Sequence, residues 1–309
     1  MSTVKSAGSR LNTREANTPL RRIAISFVPA LLVAGSLSAQ TPDVDQIMSQ
    51  AAAHQDEAEQ LRAKYTYTQK VRIRALRGTG RLSREEYCVY NVVPTDKNTK
   101  KELVQFKGRY ENKGQIVEYS RPGEQIRDKK IDIDAGLLPA LRDGLINDKD
   151  SRDGLAKDLF PLISAEEKKY QYKLEGEEMY RGRAVYRITF RPKKEFEGFD
   201  DEKTVWAGEA LVDKAEIQPV SVATHMAKGL PFLVKTVLGT NVHQLGFAVS
   251  YARLAKEVYF PVSYGGEFYV KALFLYKRTF TISLENADFR RGEADSKIIF
   301  GQALSATDR

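Results

Sequence analysis

From Tyr170 to Phe289 the chain reads as one β-strand after another, and this stretch constrains the fold more than any other feature. Ala184, Tyr186, Ile188 and Phe190 alternate with Val185, Arg187, Thr189 and Arg191. A period of two is that of a strand with one apolar and one largely polar face, not of a helix. Further strands are expected at Thr204–Asp213, Ile217–Met226, Val242–Leu254, Glu257–Tyr264, Glu267–Tyr276 and Arg278–Glu285, with Gly265-Gly266 as a turn. Such a pattern specifies a large antiparallel sheet whose apolar face must be covered or must bind something.

The segment before it adds strands and helices. Pro42–Lys64 repeats Val44, Ile47, Met48, Ala51 and Ala58 at helical spacing, with Thr41 placed to cap it and Pro42 at a first helical position. Tyr65–Leu76 and Arg81–Pro94 form a hairpin around Gly78-Thr79-Gly80, and Leu103–Tyr110 and Gln115–Ser120 another around Asn112-Lys113-Gly114. Between about 135 and 163 the period changes. Leu137, Leu138, Leu141 and Leu145 recur helically, as do Leu155, Leu159 and Leu162, with Ser151 and Asp153 as caps and Gly144 as a stop. The expected fold is therefore mainly β with a few helices (α+β), a curved antiparallel sheet covered by an N-terminal helix and short lid helices.

Residues 1–39 read as an address. A basic region ends at Arg21-Arg22, an apolar stretch runs from Ile23 to Ala34, and small residues follow to Ala39. This is the layout of a secretory signal peptide, and about a dozen apolar residues fall short of the ~20 that span a bilayer. The expectation is an exported, periplasmic chain, with 40–309 as a single domain and a monomer. The net charge of +8 is half accounted for by the +4 of residues 1–40, so the remainder is an ordinary mixed surface that does not point to nucleic acid. Cys88 is the one cysteine, which excludes an internal disulfide and reads as a small buried hydrophobe.

Catalytic signals are missing. His54, His225 and His243 are scattered, without ligand spacing, and Gly-x-Ser-x-Gly does not occur. Asp132 and Asp134 sit beside Lys129-Lys130 and read as a solvated charge cluster. An enzyme, a metal site and a cofactor are not expected. The apolar inventory says more: 15 Tyr, 14 Phe and Trp206 fall mostly on the strands, and the connector Gly229–Gly239 is strongly apolar. Ordinary core and a ligand cavity under a helical lid are both compatible with that.

Gly182-Arg-Ala-Val-Tyr-Arg-Ile-Thr-Phe-Arg-Pro192, then Val205-Trp-Ala-Gly-Glu-Ala-Leu-Val-Asp213 with Gln218-Pro219-Val220, resembles the LolA/LolB-like superfamily, as does Lys256-Glu-Val-Tyr-Phe-Pro-Val262. That fold is shared by outer membrane lipoprotein-sorting proteins and RseB-type regulators. The resemblance implies an incomplete β-barrel closed by helices, whose apolar interior holds lipid or lipoprotein acyl chains, with an envelope protein as a further partner. On strand alternation Tyr186, Ile188, Phe190, Trp206 and Ala210 are the candidate lipid-binding residues. Arg72, Arg74 and Arg109 are the candidates for the family's lid-locking arginine. A filled core acting through its surface, as a regulator would, is the alternative.

Overall fold

Eleven strands hydrogen-bond into one antiparallel sheet in the order β4-β3-β2-β1-β11-β10-β9-β8-β7-β6-β5. The computed structural model describes residues 42–94, 99–122, 132–145, 162–196, 205–228, 242–254, 258–272 and 276–292. In chain order the elements are α1 (Val44–Arg62), β1 (Tyr65–Arg77), β2 (Leu82–Pro94), β3 (Thr99–Asn112), β4 (Gln115–Tyr119), α2 (Ile133–Leu145), β5 (Tyr170–Tyr180), β6 (Arg183–Pro192), β7 (Val205–Asp213), β8 (Pro219–Lys228), β9 (Val242–Leu254), β10 (Val258–Ala272) and β11 (Tyr276–Arg291). Every neighbour is consecutive in sequence except β1 and β11, which pair along nearly their whole length, Val71 opposite Leu284 and Ile73 opposite Ile282. The sheet is thus a meander joined through its first and last strands and left open between β4 and β5. The chain crosses from one open edge to the other by way of α2.

One face runs continuously through this sheet. In register across the strands it carries Phe106, Cys88, Val71, Leu284, Tyr264, Val249, Val222, Ala210 and Ile188, all in one buried cluster. Each such side chain contributes roughly 1.5–3 kcal/mol when it is large and fully buried. Close approach is secured by glycines on this face. A Cβ on Gly208 would lie 2.0 Å from the Ala223 carbonyl oxygen, and one on Gly266 would lie 2.7 Å from the Phe247 ring, so an aromatic side chain occupies the space that a side chain would fill.

Two-residue turns close the tight hairpins. Lys113 and Gly114 both have positive φ (50° and 85°), as do Arg181 and Gly182 (49° and 80°), the geometry that matches strand twist. α1 is capped by Asp43, whose side chain accepts from the backbone N–H of Asp45 at 3.0 Å. The cap expected at Thr41 is thus supplied two residues later, and the helix starts at Val44. Gly265-Gly266 is not a turn: β10 runs straight through it, because Gly266 pairs with Phe247 on one side and Ile282 on the other. Two expected strands merge there into one of 15 residues.

α1 packs against β5 and β10, and α2 against β1 and β2, on the same apolar face. The described helical residues of the 135–163 segment end at Leu145. The second expected lid run around Leu155, the connector Gly229–Gly239 and the leader 1–39 lie outside the described residues. Among the described residues no helix is long and apolar enough to cross a membrane.

Candidate functional site

The five residues singled out from alternation fall on β6 and β7. Ile188 opposes Ala210 across the pair, and Phe190 opposes Gly208. Ile188 and Ala210 are 0% exposed, Trp206 2% and Phe190 3%. Ring contacts knit them to their neighbours: Phe190 meets Tyr170 edge-on at 5.5 Å, and Trp206 meets Phe247 edge-on at 5.7 Å. Tyr186 is only half-buried and lies under the Lys214 ammonium, 5.1 Å from its ring centre. Four of the five are therefore packed core, and the fifth sits at the rim. Any ligand reaching the four must displace what now covers them.

The polar chemistry of this face is concentrated beneath α2. Asp134, in the helix's first turn and 2% exposed, accepts from Ser83 Oγ at 2.5 Å, Tyr276 OH at 2.5 Å and Arg278 Nε at 2.8 Å. At the other end of the helix, Arg142 Nη1 donates to Glu86 Oε2 at 2.8 Å, and Tyr119 OH donates to the second Glu86 oxygen at 3.0 Å. Just ahead of the helix, Asp132 pairs with Arg84 at 2.8 Å, whose guanidinium lies over the rings of Tyr110 and Tyr119. So α2 is clasped to the sheet at both ends by charges, while Leu138 and Leu141 fill the space between.

Burial sets the titration of this cluster. It pushes Glu86 above the usual carboxylate range, opposed by the positive charge of Arg142 and the hydrogen bond from Tyr119. Burial and the neighbouring Asp134 carboxylate push the Tyr276 hydroxyl up as well. Arg142 stays charged: burial works against its guanidinium, but Asp143, Tyr90 and Glu86 outweigh it. Apart from this cluster, burial alone lowers Lys101 to about 7, where its ammonium donates to Gln69 Oε1 at 2.8 Å. The Cys88 thiol is buried and pushed up, the opposite of an activated nucleophile.

One expectation is overturned here, and another gains no support from the described residues. Asp134 is not solvated; the helix begins at Ile133, which turns its side chain onto the sheet. Among the described residues, none of Arg72, Arg74 and Arg109 reaches a helix. Arg72 and Arg74 alternate with the buried Val71 and Ile73 and so point from the opposite, outer face, where Arg74 bonds Thr281; Arg109 lies there too and pairs with Glu85. The arginines that do hold α2 are Arg84, Arg142 and Arg278. A signal for them existed. Arg84 and Glu86 share strand parity with Cys88 and Tyr90, and Arg278 with Phe280 and Ile282, so charges stood at inward positions of otherwise apolar faces.

No family model matches the chain, and no curated protein matches it. Solved structures do. A DUF1329 family protein from Desulfovibrio piger matches with a TM-score of 0.38 and 12% identity over 84% of this chain and 98% of that one. An outer membrane lipoprotein-sorting protein domain from Vibrio parahaemolyticus matches at 0.36 and 10% identity, covering 81% and 95%. A LolA superfamily protein from Nitrosomonas europaea matches at 0.33 and 12%, covering 81% and 97%.

Proposed function

We propose that the chain is a non-enzymatic, exported envelope protein that binds lipid, lipoprotein acyl chains or an apolar peptide segment between the apolar sheet face and α2. One observation carries this reading: a single apolar face spans an unclosed sheet, and the helix packed on β1 and β2 over that face is fastened by ion pairs. Buried ion pairs place a helix accurately yet add little net stability, because desolvation cancels most of their attraction. Displacing α2 therefore costs less than displacing an apolar helix of similar footprint. Each acyl CH₂ then taken from water contributes about 0.8 kcal/mol toward the bound state. In this reading residues 1–39 are removed on export and 40–309 act as one periplasmic domain, without cofactor or metal.

A second reading has its own support. Ile188, Phe190, Trp206 and Ala210 are already fully packed, as in a filled scaffold that acts on an envelope protein partner through its surface. Ile188→Glu separates the two. In a cavity that opens, the buried carboxylate abolishes uptake of N-phenyl-1-naphthylamine while the protein still folds; in a filled core it unfolds the protein. Native mass spectrometry of the purified wild type, together with the probe titration, gives the decisive result. A folded wild type that carries no lipid and takes up no probe ends the carrier reading.

A further inference from the structure

The outer face of β1–β4 holds a groove of about 690 Å³ on the side of the sheet opposite the helices. Its floor consists of two rows of side chains fixed by strand register. In the first row Arg72 lies opposite Tyr87, and Tyr87 opposite Lys107. In the second, Glu85 lies opposite Arg109, and Arg109 opposite Glu118. Arg74, opposite Glu85, extends that second row.

The rows differ in charge. The second is neutral within itself, two arginines against two carboxylates, and Arg109 Nε already meets Glu85 Oε1 at 3.0 Å. The first holds two cations, one on each side of an aromatic ring, and no acid. The Arg72 guanidinium lies 5.6 Å from the centre of that ring. With strands spaced about 4.8 Å apart, the backbones of Arg72 and Lys107 stand about 10 Å from each other, so both long side chains can converge over Tyr87. Arg72, Lys107, Arg109 and Glu118 are all exposed, so the groove is open to ligand.

We propose that this groove binds an anionic saccharide. A carboxylate or phosphate lies between Arg72 and Lys107, where charge-assisted hydrogen bonds are strongest. The sugar ring packs beside Tyr87, whose face the Arg72 guanidinium covers, and its hydroxyls reach the second row, whose carboxylates accept and whose guanidinium groups donate. The volume suits a ligand of one or two sugar rings, since small-molecule sites run from about 300 to 1,000 Å³. A neutral sugar leaves both first-row cations without a counter-charge, and a bare anion leaves the ring and the second row unused. The site lies on the face opposite the apolar one, so it stands or falls independently of lipid binding.

The test is calorimetric titration of the full chain with glucuronic acid, glucose 6-phosphate, glucose and inorganic phosphate. The first two should bind at least about tenfold more tightly than the last two, and whichever of the first two binds more tightly tells carboxylate from phosphate. The double variant Arg72→Gln, Lys107→Gln should lose at least about tenfold in affinity with an unchanged melting temperature, both positions being exposed. Tyr87→Leu should weaken the sugars and leave inorganic phosphate as it was. Failure of both anionic sugars to bind overturns the proposal. So does phosphate binding as tightly as glucose 6-phosphate, which would mark a simple anion site, or a double variant that binds like wild type.

Discussion

The two helices cover the same apolar face by different means. α1 is 19 residues long and buries Ile47, Met48, Ala51, Ala52 and Ala58. Its longer-range hydrogen bonds include those of His54 Nδ1 with the Ile217 carbonyl at 3.0 Å, Gln55 with Gln218, Arg62 with the Tyr259 carbonyl at 2.9 Å, and the Ser164 backbone N–H with Asp56 Oδ2 at 3.2 Å. α2 has 13 residues with Pro139 inside it, so one turn lacks its backbone donor. It buries Leu138 and Leu141 and is also held by ion pairs at Asp132, Asp134 and Arg142 and by hydrogen bonds from Ser83 and Tyr276 to Asp134. The difference teaches where motion belongs. An apolar anchor is lost only by exposing it to water, whereas a charged anchor released into water regains its hydration. On that footing α1 is expected to behave as scaffold, and α2 is the element that the proposed uptake would displace.

Breaking the clasp from one side gives the largest effect. Arg142→Ala leaves Glu86, whose side chain is 3% exposed, without its counter-ion and should destabilise by about 3–5 kcal/mol, read as a drop in melting temperature. Met48→Ala, the equivalent test of α1, should lose about 2–5 kcal/mol through cavity formation. Native-state hydrogen exchange sharpens the comparison: α2 amides should exchange through a lower-energy opening than α1 amides, which should follow global unfolding. Equal protection in both helices would sink the distinction.

A pH series addresses the same contrast at moderate size. The folded-state pKa of Glu86 is raised, so its protonated form stabilises the fold; that contribution is complete at low pH and is lost as pH rises through the raised value. Glu86→Gln should flatten stability across that window, and Arg142→Ala should steepen it, since Arg142 is what holds the shift down. Lys101 gives the opposite sign. Its pKa of about 7 lies below the ordinary 10.5, so the fold gains stability as pH rises from about 7 toward 10.5, and Lys101→Met should remove that gain. Denaturant melts at several pH values read both slopes. The smallest effect belongs to the cap of α1, where Asp43→Ala should lose about 1 kcal/mol.

Much of the sheet was readable because alternation survives at single residues. β9 matches the expected Val242–Leu254 at both ends, and Ile188 and Phe190 on β6 are buried as their spacing implies, although Ala184 at the start of that face is exposed and Val185, from the expected polar face, is buried. Gly265-Gly266 misled because a glycine pair signals a turn only when nothing packs on it, and here the Phe247 ring does. The clasp was missed for another reason. Asp134 and Arg278 are 144 residues apart, and no local pattern brings them to 2.8 Å.

The sequence by itself determined the strand content, the apolar face, the N-terminal helix and the break in period where α2 inserts, because each depends on neighbours within a few positions. Tertiary structure alone decided that β1 pairs with β11, that the sheet opens between β4 and β5, and which arginines meet α2. It also decided that Arg72, Tyr87 and Lys107 share a row on the outer face. Those outcomes depend on strand order and register, which the chain settles only when distant segments bury their apolar faces together.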